Sequence, residues 1–109
     1  MKLSDIDPGR ISRPPDRTKV LLQKGLQKNQ GFVIQKIELR QYIERKDVQL
    51  GDYSLLTAVV ETDRGVVEMK YDEGFRGHDA LDSAVTMLTQ YVGLASLINR
   101  ALIELQRQQ

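Results

Sequence analysis

The sequence predicts an α+β fold: an N-terminal helix, a three-stranded antiparallel β-meander and a long C-terminal helix packed on one sheet face. Three observations carry this. Between positions 32 and 71, apolar and polar residues alternate in runs separated by Gly- and Asp-containing turns. From Leu81 to Leu105 the apolar spacing changes to 3-4-3-4, a helical period. Finally, 109 residues at 40% hydrophobic and 28% charged content suit one globular domain, and with no cysteine it must rest on its apolar core.

Residues 1–16 read as a flexible basic arm, and 17–109 as a single α-β-β-β-α domain. In the arm, Pro8-Gly9 signals a turn, and Pro14-Pro15 removes two backbone donors and disfavours helix before it. Asp16 is placed to cap a helix over about Arg17–Gln30. Val20, Leu21, Leu22 and Leu26 would form its apolar side, with Gly25 a cost and Gly31 a stop. From Phe32 the period shortens: Ile37, Leu39, Gln41 and Ile43 alternate with Glu38, Arg40, Tyr42 and Glu44, a strand with one buried and one wet face. Asp47–Asp52 is a loop. Tyr53–Thr62, with Leu55, Leu56, Ala58, Val59 and Val60, is the clearest strand. Asp63-Arg64-Gly65 turns the chain back into Val66–Tyr71, and Asp72–Gly77 reads as a loop.

Asp79 then caps a helix running to about Arg107. Unbroken, it would be about 40 Å long, more than a domain this small can cover. Leu81, Ala84, Leu88, Tyr91, Ala95, Ile98, Leu102 and Leu105 form its seam. The far half therefore reads as a subunit interface built on Leu94, Ala95, Ile98, Leu102 and Leu105, with a homodimer as the expected assembly. The competing arrangement is a break at Gly93, with the second half folded back on the sheet or on the first helix.

The composition excludes thiolate metal sites, cysteine nucleophiles and multi-histidine centres within one chain, because there is no cysteine and one histidine. No cofactor is expected. No run reaches the ~18 apolar residues of a membrane span, and the start lacks a signal-peptide core, so a cytoplasmic protein is expected. The net charge of +1 conceals a division. Residues 1–30 hold seven basic and three acidic residues, a net +4, against −3 for the rest. Arg10, Arg13, Arg17, Lys19, Lys24 and Lys28 are thus candidates for phosphate or partner contacts. His78, beside Asp79 and near Asp72 and Glu73, is the one candidate general acid or base, but no nucleophile is placed with it. The expected function is a non-catalytic interaction or adaptor domain that self-associates through its last helix and presents the arm and the free sheet face to a protein partner. Nucleic-acid binding through the basic residues is the alternative, and a small enzyme centred on His78 the third reading.

Overall fold

In the computed structural model, residues 13–22, 27–29, 31–77, 79–90 and 93–108 are described. Five strands come first: β1 (Arg17–Leu22), β2 (Gln27–Asn29), β3 (Phe32–Arg45), β4 (Asp52–Thr62) and β5 (Gly65–Arg76). Two helices follow, α1 (Ala80–Gln90) and α2 (Gly93–Gln108). All strand pairings are antiparallel, in the order β1-β3-β4-β5. β2 also pairs with β3, so β1 and β2 follow one another along the same edge. The architecture is α+β, as the sequence implies, but the sheet has five strands rather than the expected three, and three regions differ: the N-terminal segment, the end of β5 and the C-terminal helix.

The expected N-terminal helix is replaced by β1 and β2. β1 pairs Arg17 with Gln41 and Lys19 with Leu39, and β2 pairs Lys28 with Val33. The physical reason lies in β3. Its 14 residues offer a long edge of backbone donors and acceptors, and β1 and β2 pair with residues 37–41 and 32–34 of it. Arg17-Thr18-Lys19-Val20 loses little by extending, because Thr and Val are β-branched and the apolar face of the alternative helix is narrow. Likewise β5 continues through Asp72–Arg76, where the sequence suggests a loop. A bulge at Leu56/Thr57 and Gly74 at φ +149° let it stay paired with the start of β4.

The C-terminal helix is broken rather than continuous. The axes of α1 and α2 are bent by 96°. A Cβ added at Gly93 would lie 3.2 Å from Leu88 Cδ2, so the glycine allows the two helices to meet closely at the corner. Both helices fold onto one sheet face. Ile37, Leu39, Leu56, Ala58, Val60, Val67 and Met69 of the sheet join Leu81, Ala84, Leu88, Leu97, Ile98, Ala101, Leu102 and Leu105 of the helices in one core. The heptad spacing is real, but it marks a core seam. Ile98, Leu102 and Leu105, expected at a subunit interface, are buried inside this chain; Leu94 is half-buried against the same core, and only Ala95 of that set is exposed. The bend supplies the cover that a straight 40 Å helix would have sought from a second chain. Among the described residues, no single helix is long and apolar enough to cross a membrane.

Candidate interaction site

Among the described residues, the other sheet face carries no helix, and strand register organises it into rows. Arg45, Tyr53 and Phe75 lie abreast at one end. Tyr42, Leu55 and Glu73 follow, then Arg40, Thr57 and Lys70, then Glu38, Val59 and Glu68. Alternation alone would make this the wet face. Instead Tyr42 is 1% exposed and Glu38 6%, and Leu55, Thr57 and Val59 are buried too. Among the described residues, charged side chains contribute to the cover. Arg40 Nε donates to Glu38 Oε1 at 2.6 Å, and Lys36 Nζ lies 3.2 Å from Glu38 Oε2. Glu68 Oε2 accepts from Thr57 Oγ1 at 2.7 Å and Tyr42 Oη at 3.0 Å, while Arg40 Nη1 stands 3.5 Å from Glu68 Oε1. Long charged side chains thus lie flat over the apolar atoms of β4.

This network is occupied with itself. Burial pushes the Glu38 carboxyl up, but hydrogen bonds from Arg40 and Lys36 outweigh it and hold the group below its ordinary value. Burial raises the Tyr42 phenol, reinforced by the neighbouring Glu68 carboxylate. The Glu38 carboxylate is therefore fixed as an acceptor rather than poised to exchange a proton. Among the described residues, no three His, Cys, Asp or Glu side chains converge to hold a metal ion.

The end of this face, at the β3–β4 hairpin, is different. The Arg45 guanidinium sits 5.2 Å from the Tyr53 ring centroid and 5.1 Å from that of Phe75. The two rings meet edge to face at 4.9 Å. Tyr53 Oη donates to Glu73 Oε1 at 2.7 Å, which raises its phenol pKa. In the loop beyond, Asp47 Oδ1 accepts from the amides of Gln49 and Leu50, both at 2.8 Å, and these bonds hold its carboxyl low. The resulting turn leaves Val48 fully exposed (104%) and Leu50 60% exposed. Gly51 closes it at φ +86°, where a Cβ would collide with the Arg76 carbonyl oxygen. An open cleft of about 650 Å³ lies here, lined by Lys46, Val48, Leu50 and Arg76 among others. Arg76 is held in turn by Asp72, at 2.5 and 3.0 Å.

The basic residues singled out in the sequence do not gather. Arg10, Lys24 and the side chain of Lys28 lie outside the described residues, as does His78. Arg17 is on exposed β1. Arg13 stands 5.5 Å from the Tyr42 ring on the helix-free face and is paired with Glu44 at 2.6 Å and Asp16 at 3.2 Å. Lys19 points to the opposite face, 3.1 Å from Asp82 of α1. Residues 13–16 also dock on β3: Asp16 Oδ2 accepts from the Ile43 amide at 2.7 Å, and the Asp16 amide donates to Gln41 at 2.8 Å.

The group that sequence reasoning missed is Arg45, Val48, Leu50, Tyr53 and Phe75. One signal was present. β4 is apolar on both faces, with Leu55 and Val59 against Leu56, Ala58 and Val60, which means that its second face is also covered. Nothing in the sequence fixes which residues cross it. No family model, curated protein or solved structure matches this chain.

Proposed function

We propose that the chain is a non-catalytic protein-interaction domain whose contact surface is the β3–β4 hairpin end of the helix-free sheet face. One observation carries this reading: two apolar residues, Val48 and Leu50, are held out in solvent in the hairpin loop that follows Arg45, whose guanidinium lies over both the Tyr53 and the Phe75 ring. Apolar side chains at an exposed tip gain nothing within the chain, whereas aromatic and arginine anchors dominate binding energy at interfaces. Ile98, Leu102 and Leu105, expected at a subunit interface, are buried in the core of this chain, which favours the hairpin end over α2 as the contact surface. A rigid scaffold supports the tip, since β3 and β4 run continuously from the core into the hairpin.

Site-specific photo-crosslinking in the native cell tests this. A photoreactive residue at Val48 should capture a discrete protein, and one at Gln106, exposed on α2, should not. Capture should fall at least several-fold in Leu50→Asp. Equal capture at both positions, or none at Val48, would reject the assignment.

A further inference from the structure

Resting on that reading, we infer that the hairpin tip takes an acidic segment of its partner, with a carboxylate on Arg45 and apolar neighbours against Val48 and Leu50. Elsewhere, Arg13, Lys19, Lys36, Arg40, Lys70 and Arg76 each have a carboxylate within 4.0 Å, whereas Arg64, over the Phe32 ring at 5.0 Å, has none among the described residues. Among the described residues, no carboxylate lies that close to Arg45 or Lys46. Arg45 is nonetheless positioned. The Tyr53 and Phe75 rings hold its charge without using any of its five N–H donors. A planar donor fork fixed in this way has lost part of its freedom before binding, which favours bidentate capture of a carboxylate.

Local charge selects the class of anion. Asp47 and Asp52 follow the two cations in the hairpin, so residues 45–52 are neutral in sum. Backbone amides keep Asp47 ionised, and its charge stays close to any ligand. A polyanion such as a nucleic-acid backbone or an anionic bilayer gains little from a neutral patch. A single carboxylate flanked by aliphatic side chains meets both features of the tip, the donor fork and the exposed Val48 and Leu50.

The test uses the full chain, labelled with ¹⁵N, and an acetylated, amidated peptide of sequence Leu-Glu-Leu-Glu-Leu. Saturable shifts are expected at the Arg45 Nε–H and at the amides of Lys46 to Leu50. Affinity should drop about tenfold in Arg45→Gln, the loss of one charge-assisted pair. The peptide with Gln for Glu should bind at least about tenfold more weakly for the same reason. A Gln peptide that binds equally, shifts centred away from the hairpin, or a response to phosphatidylserine vesicles or oligo-dT with none to the acidic peptide would overturn the inference. Two failures can be told apart. Crosslinking from Val48 that is unchanged in Arg45→Gln removes the acidic partner but keeps the interaction surface; absence of both crosslinking and peptide shifts removes both.

Discussion

The two faces of this sheet solve the same problem by different means. On one face, Ile37, Leu39, Leu56, Ala58, Val60, Val67 and Met69 are covered by two helices, and the contact is almost wholly apolar. On the other, among the described residues, Leu55, Val59 and the Tyr42 ring lie beneath charged side chains of the sheet, tied down through Glu38 and Glu68, with Arg13 over the Tyr42 ring. The first arrangement gains from every area of apolar surface removed from water. The second gains little per contact, because hydrogen bonds and ion pairs exchange partners with water. The difference teaches where stability resides. The covered face holds the fold together, and the helix-free face ends in a tip whose exposed side chains, Val48 and Leu50, add little to it.

The sharpest way to break the comparison is to truncate one buried and one exposed leucine. Leu102→Ala should cost about 3 kcal/mol, the range for a large-to-small change in a core. Leu50→Ala should shift stability by no more than about 0.5 kcal/mol, as for an exposed side chain. Urea denaturation of both variants measures the contrast, and similar losses would show that the hairpin is part of the core.

Next in size is Gly51→Ala. The added methyl would collide with the Arg76 carbonyl oxygen in a backbone conformation at φ +86°. A loss of about 2 kcal/mol is expected from this strain, read as a lower thermal midpoint. A near-neutral result would mean that the hairpin end is not held against β5.

Within the network, Tyr42→Phe removes one of the donors to Glu68 at no cost in apolar cover. A loss of about 1 kcal/mol is expected, the usual worth of one net hydrogen bond. Because Thr57 and Arg40 remain on Glu68, a loss as large as that of Leu102→Ala would contradict the modest value assigned to this face.

The smallest effect is the dependence on pH, and it separates the faces most cleanly. Glu38 and Asp16 have lowered pKa values in the folded chain, from the Arg40 and Lys36 hydrogen bonds and the Ile43 amide respectively. Their contribution is present above the ordinary carboxylate range and is lost as pH falls through their folded values. Tyr42 and Tyr53 have raised values, so their contribution is present below about pH 10 and is lost as pH rises through the folded values. Every one of these groups belongs to the helix-free face or to the segment docked beside it. Amide exchange should therefore accelerate there first at both extremes, while amides facing the helices hold; simultaneous loss on both faces would count against the division.

How far the sequence reveals this depends on which force fixes each element. Where burial dominates, the pattern is readable: β3, β4, the turn at Gly65 and the start of α1 after Asp79 lie where alternation, the turn residues and the helical period put them. It fails where a distant partner decides. Residues 17–22 extend because β3 has an open edge, which no local propensity registers. Likewise a 3-4-3-4 spacing cannot say whether a seam meets a second chain or its own sheet; for Ile98, Leu102 and Leu105 the answer depends on the bend before Gly93. The tip is the least legible part. Arg45, Tyr53 and Phe75 are separated along the chain and are brought together only by the register of three strands.

Hydroxyl-radical footprinting across a wide dilution series tests the central division most directly. Val48 and Leu50 should label strongly in the free chain, while Leu97, Ile98, Leu102 and Leu105 stay protected to the same degree at every concentration. Protection of the four α2 residues that disappears on dilution would show that a second chain covers them, and would contradict the account.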